Sequence, residues 1–140
     1  MTIKIKSKAS EKVEQFYKDV WERANIDYFG KQVNWATKTI VIEVYSGGKL
    51  VGVIELHTQM GVMYIFELAV AYSHQKQGIG RMLVKKAEEI AREEKMHKIH
   101  LDTGKNWGTG IFYEKMGYMK TGEFPKHFGG QDYLQYSKFF

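Results

Sequence analysis

Cysteine is absent from the 140 residues. That excludes disulfide scaffolds, thiolate zinc sites, iron–sulfur clusters and a cysteine nucleophile, and it fits a reducing compartment. Proline occurs once, at Pro125, and no low-complexity linker or repeat interrupts the chain. A single domain spanning residues 1–140 is expected. No apolar run approaches bilayer length; the densest block, Val51 to Leu56, is strand-sized and contains Glu55. The opening Met1 to Ser10 alternates lysine with isoleucine and lacks the apolar centre of a signal peptide. A cytoplasmic protein without a membrane partner follows. The net charge of +5 suits anionic ligands. The basic residues are not clustered and carry no nucleic-acid motif, so nucleic acid is not an expected partner.

Hydrophobic residues make up 44% and charged residues 26%, a globular balance. Thr2–Lys6 alternates and reads as a first strand. Ser10 is placed to cap a helix over Glu11–Ala24, whose apolar face is Val13, Phe16, Tyr17, Val20 and Ala24. Asn25–Lys38 reads as a loop holding a short second helix. Thr39–Tyr45 and Leu50–Thr58 flank a Ser-Gly-Gly-Lys turn, a hairpin by residue type. Val62–Ala71 is a further strand. Gly78–Glu94 is the clearest helix, with Leu83, Val84, Ala87, Ile90 and Ala91 as its apolar stripe. Lys98–Asp102 is a strand, Trp107–Met116 a helix stopped by Gly117, and Tyr118–Phe124 and Asp132–Lys138 are two last strands. Strand, helix, strand from Val62 to Asp102 allows a parallel crossover, so a mixed α/β sheet is expected.

The stretch that carries chemistry runs from Glu67 to Leu83. A strand ends, a glycine-containing loop follows, and a strong helix begins. Free N–H groups at that helix start and the positive end of its dipole face the loop, with Lys76 and Arg81 adding full charges. This arrangement binds phosphate. It matches neither a Walker A loop nor a dinucleotide fingerprint, because Leu83 stands where the third glycine belongs.

Gln75-x-x-Gly78-x-Gly80 resembles the Gln/Arg-x-x-Gly-x-Gly/Ala signature of the GNAT family of N-acetyltransferases. Asn106-x6-Tyr113-Glu114-Lys115-Met116-Gly117-Tyr118 is similar to that family's second signature, in the right order and spacing. The resemblance implies a GNAT-type α/β fold: a mixed, mostly antiparallel central β-sheet with splayed parallel strands and flanking helices. It implies acetyl-CoA as co-substrate, with no metal. By similarity, the backbone of Leu68, Ala69 and Val70 would pair with the pantetheine arm. The amides of Gln75, Lys76, Gln77, Gly78, Ile79, Gly80 and Arg81 would hold the pyrophosphate, and Asn106 and Tyr113 would contact the cofactor.

The chemistry implied is transfer of an acetyl group to a primary amine, of a small molecule or a protein, by direct attack on the thioester. The amine must first lose a proton, the oxyanion needs an N–H such as that of Val70, and the leaving thiolate needs a donor such as Tyr113. For the base, the ribosomal-protein alanine acetyltransferases of the family use a glutamate on the strand before the asparagine. Asp102 matches it only if one residue is deleted. Glu67 is the second candidate, and His127 and Asp132 lie in a Gly-rich loop on the acceptor side. Each has a structural reading beside it. Tyr113 fits a core aromatic, Asp102 a turn cap, and Glu67, alternating with Ile65 and Ala69, a carboxylate paired with a basic residue. Trp21, Trp35, Tyr28 and Phe29 read as core or as acceptor contacts. His97 and His100 sit at a helix-to-strand junction where their rings need not converge on a metal. Gly108 and Gly110 replace the alanine-rich start usual for the last helix, which suggests close approach to the cofactor. The tail Asp132–Phe140 is read as a sheet edge able to pair with a second subunit, giving a homodimer. A non-catalytic acyl-CoA-binding module is the alternative function.

Overall fold

A computed structural model describes residues 1–140. The chain divides into two compact units, Met1–Trp35 and Ala36–Phe140. The first contains helix α1, Glu11–Phe29, with the Ser10 hydroxyl accepting the Val13 N–H at 3.4 Å. Thr2–Lys6 forms no strand: it pairs with nothing and leaves Ile3 and Ile5 exposed. Helix α1 runs on through Asn25–Phe29, where a loop was expected, and no second helix forms. Asp27 does not stop it. The helix ends where Gly30 adopts φ 70° and donates its N–H to Ile26 O.

The second unit holds strands β1 (Lys38–Ser46), β2 (Lys49–Gln59), β3 (Val62–Val70), β4 (Lys98–Gly104), β5 (Met119–Phe124) and β6 (Tyr133–Phe139). Helix α2 (Ile79–Glu93) links β3 to β4, and α3 (Thr109–Lys115) links β4 to β5. The sheet order is β1-β2-β3-β4-β6-β5, antiparallel except for β3 beside β4. This is the mixed α/β, mostly antiparallel sheet expected. The tail is not an edge, because β6 lies between β4 and β5 with both sides paired. The edges are β1 and β5, so the tail offers no free strand to a second subunit.

The core lies between one sheet face and the two helices. Ile54, Leu56, Met63 and Ile99 on the sheet meet Leu83, Val84, Ala87 and Ala91 of α2. Burying each large aliphatic side chain stabilises the fold by about 1.5–3 kcal/mol. Helix α3 adds Tyr113, which packs edge-to-face with Tyr118. Glu88, at 6% side-chain exposure, is the charged exception on α2. It takes Lys138 Nζ at 3.1 Å and Arg92 at 3.9 Å. Lys138 also donates to Met116 O at 2.9 Å and so ties β6 to the end of α3.

Candidate active site

Strands β3 and β4 pair over three positions only, Val62 with Lys98, Met63 with Ile99 and Tyr64 with His100. Beyond Tyr64 they part. Two features of β3 shape the gap. Phe66 is a bulge, since Glu55 faces Glu67 while Leu56 faces Ile65. The bulge reverses which residues point inward. Met63 and Ile65 face the core before it and Leu68 and Val70 after it, while Glu67 and Ala69 turn to the opposite face. The expected alternation of Ile65, Glu67 and Ala69 on one face therefore fails, and no ion pair holds Glu67.

The second feature is hydrogen-bond direction. Ala71 N–H donates to Val51 O on β2 at 2.8 Å. Backbone groups alternate sides along a strand, so those of Leu68 and Val70 point away from β2, into the gap. Strand β4 does not reach them there. Gln75 Nε2 donates to Val70 O at 3.1 Å. Lys105 N–H bonds Asp132 O, and the same alternation aims the backbone of Asp102 and Gly104 into the gap from the other side.

The chain leaves β3 through a short 3-10 turn, Tyr72–His74, and enters α2 at Gly78. Lys76 has φ 59° and Gly78 φ 85°, so left-handed residues recur along the turn. Gln77 Nε2 holds Ser73 O at 3.4 Å. From Lys76 to Arg81 no backbone N–H finds an acceptor in the protein. Successive free N–H groups at a helix start make an anion-binding concavity. A groove of about 610 Å³ runs beside it, lined by Ile42, Val44, Gly78, Arg81, Lys85 and Lys86 among others.

The sheet face opposite the core carries polar side chains in two rows across the strands. One row is Glu55, Glu67, then Asp102 and Gln135 beyond the gap; the next is His57, Tyr64, His100 and Ser137. His57 Nε2 lies 2.8 Å from Glu55 Oε1, and its ring stacks on Phe66. Burial first, then the charge of Lys98, holds the His100 imidazole below its usual value, against the opposing pull of Asp102.

Asn106 is exposed in the turn after β4. Helix α3 starts at Thr109, not Trp107, because Gly108 caps it at φ 73°. Trp107 folds back instead, donating to Gln131 Oε1 at 3.3 Å. Gly110 is accounted for by packing: a Cβ there would run into the Tyr136 hydroxyl. Tyr113 is 3% exposed in the core, and burial raises its hydroxyl pKa well above the ordinary value. Asp132 Oδ1 accepts the Lys126 N–H at 2.9 Å, and His127 stacks on Phe124, so both serve the β5–β6 loop. Trp21, Trp35, Tyr28 and Phe29 all stay exposed rather than forming a core. Within the first unit, Trp35 donates to Asn25 Oδ1 at 3.0 Å and meets Phe29 edge-to-face.

Residues 8–118 match the sequence pattern of the Acetyltransferase (GNAT) family. The chain belongs to that family. Solved GNAT-fold structures superpose on it. One from Agrobacterium tumefaciens, described as an acetyltransferase, is 26% identical and covers 100% of both chains, with a TM-score of 0.74. An acetyltransferase from Bacillus cereus ATCC 14579 is 22% identical over 98% of both chains, with a TM-score of 0.76. A GNAT family acetyltransferase from Elizabethkingia anophelis, with acetyl-CoA bound, is 21% identical over 71% of this chain and 75% of its own, at a TM-score of 0.67. No curated protein matches the sequence.

In this GNAT protein no group of three or more His, Asp or Glu side chains could hold a metal ion. His97 lies against Gly61 while His100 stacks on Tyr64. No helix is long and apolar enough to cross a membrane. Sequence reading passed over Tyr64 and His57, took Glu55 only as a charge within an apolar strand, and weighed His100 only as a metal ligand. Their only signal was alternation with apolar neighbours on strands, which becomes a site only once register aligns the rows.

Proposed function

We propose that this GNAT protein is an acetyl-CoA-dependent N-acetyltransferase acting on a primary amine of a small molecule or protein, with residues 1–140 as its one catalytic domain. The observation that carries the reading is continuous. The inner edge of Leu68 and Val70, paired with no strand, leads directly into the free N–H groups from Lys76 to Arg81. A pantetheine arm bears amides that complete such an edge, and a diphosphate suits such a turn.

The roles follow from chemistry. Leu68, Ala69 and Val70 hold the arm, and the Val70 N–H stabilises the oxyanion of the tetrahedral intermediate. Gln75, Lys76, Gln77, Gly78, Ile79, Gly80 and Arg81 hold the diphosphate, and Asn106 contacts the cofactor. Asp102 takes the proton that the acceptor ammonium must lose, and Glu67 is the alternative base across the gap. The amine nitrogen forms its bond to the acetyl carbon as the carbon–sulfur bond breaks. Tyr113 then serves the thiolate. Its hydroxyl is protonated at neutral pH, as a donor must be, and burial raises its pKa further.

Isothermal titration with acetyl-CoA, followed by turnover over a panel of amines that includes protein N-termini, tests the proposal. Binding with turnover of a primary amine supports it. Absence of binding at high micromolar acetyl-CoA refutes it. Binding without turnover of any amine supports the non-catalytic acyl-CoA module instead. Tyr113→Phe is expected to slow turnover with unchanged acetyl-CoA affinity; an unchanged rate removes Tyr113 from the mechanism.

A further inference from the structure

At the point where β3 and β4 part, Tyr64 is the last β3 residue paired with β4, opposite His100. Its ring stacks on His100, with centroids 4.8 Å apart. Its hydroxyl donates to Asp102 Oδ2 at 3.3 Å. Asp102 follows the last paired position of β4, so this bond crosses the gap itself. The other carboxylate oxygen, Oδ1, is sealed from solvent and has no partner. An orphaned carboxylate oxygen is costly in a folded protein unless a donor arrives. An ammonium, or the water attending it, is such a donor.

We propose that Tyr64 is a positioning residue of the acetyl transfer: its hydroxyl pins one oxygen of Asp102 and so leaves the other free to take the acceptor's proton. The inference rests on the transferase reading above. The ammonium passes one proton to Asp102 Oδ1, directly or through water, giving a neutral amine and a carboxylic acid. The amine lone pair then forms the nitrogen–carbon bond, and the carbon–sulfur pair leaves with sulfur. The second proton lost from nitrogen reaches that thiolate by way of the Tyr113 hydroxyl, giving the free thiol, and Asp102 returns its proton to solvent.

The groups around this pair favour the same division of labour. From β3, Tyr64 holds Asp102 and the Glu67 charge acts on Tyr64; on β4, the charges of Lys98 and Asp102 act on His100; and from β6 the uncharged Gln135 is the register partner of Asp102. On β2, Glu55 and His57 satisfy each other. Burial first, then the Asp102 charge, their hydrogen bond and the Glu67 charge raise the Tyr64 pKa, so the hydroxyl remains a donor throughout the working range. A donor held on a carboxylate favours its charged form.

Tyr64→Phe keeps the ring and its stack while deleting the O–H. At saturating acetyl-CoA, kcat/KM for a reactive primary amine is expected to fall about tenfold, a part of what general-base catalysis supplies. The acidic limb of the pH profile is expected to move to higher pH, a change that a purely structural tyrosine would not cause. Asp102→Asn is expected to abolish that limb, and adding Tyr64→Phe to it to cost nothing further. Acetyl-CoA affinity, measured by calorimetry, stays unchanged in all three variants. An unmoved limb in Tyr64→Phe overturns the inference, as does an equal loss of rate in the Asp102→Asn background. Both leave the transferase reading intact. A wild-type protein that fails to bind acetyl-CoA sinks that reading first and this one with it.

Discussion

Replacing Gly110 with alanine sets local propensity against tertiary packing, and the two predict opposite signs. Gly110 lies in the first turn of α3. Propensity alone says Gly110→Ala stabilises the helix by about 1 kcal/mol. The structure says otherwise. The new Cβ would strike the Tyr136 hydroxyl and lie 2.9 Å from its Cζ and 3.1 Å from its Cε2. Tyr136 cannot simply yield, because it is 4% exposed in the core and its hydroxyl donates to Glu114 Oε1 at 3.1 Å. Overpacking of this kind costs about 1–3 kcal/mol, and losing the hydrogen bond adds about 0.5–1.5 kcal/mol. Against the propensity gain, the net is a destabilisation of about 0.5–3.5 kcal/mol, or roughly 2–11 °C in melting temperature for a chain of this size. Urea unfolding of the two proteins gives the sign directly. Tyr136→Phe in the Gly110→Ala background should recover only part of the loss, since the ring carbons still crowd the methyl. A Gly110→Ala protein more stable than wild type would refute the packing argument.

Gly78→Ala meets no atom within 4 Å but forces alanine to φ 85°, a strain of about 1–2 kcal/mol. Titration should show acetyl-CoA affinity reduced about tenfold; an unaltered Kd would mean that this turn is not the anchor. Lys138→Met leaves the Glu88 carboxylate, 6% exposed, with Arg92 at 3.9 Å as its remaining ion-pair partner, and is expected to cost about 1–3 kcal/mol by urea midpoint. His100 is held below its ordinary value of 6.5, so the unfolded chain binds the proton more readily than the folded one. Stability should therefore fall as pH drops below about 6.5, and His100→Gln should flatten that part of the profile; equal slopes in the two proteins would contradict the assignment.

Much of this protein was legible before folding. The stripe Leu83, Val84, Ala87 and Ala91 repeats at the helical period, and all four are buried as that period requires. The turns at Gly47-Gly48 and Met60-Gly61, and the glycine-bearing start of α2, come from residues whose backbone preferences act within a few positions. The same locality misled at the amino end. Thr2–Lys6 alternates like a strand but has no neighbour to pair with, and Asp27 looked like a loop signal inside a helix that continues to Gly30.

Strand order, register and the bulge at Phe66 are different in kind. They depend on pairings between residues far apart in the chain, and a shift of one position turns every side chain to the other face. That is why Glu67 moved off the face of Ile65, why β6 became an interior strand, and why Tyr64 came within reach of Asp102. Local composition supplied the helices and the phosphate turn, whereas the gap between β3 and β4, with the polar rows beside it, exists only once the sheet has closed around it.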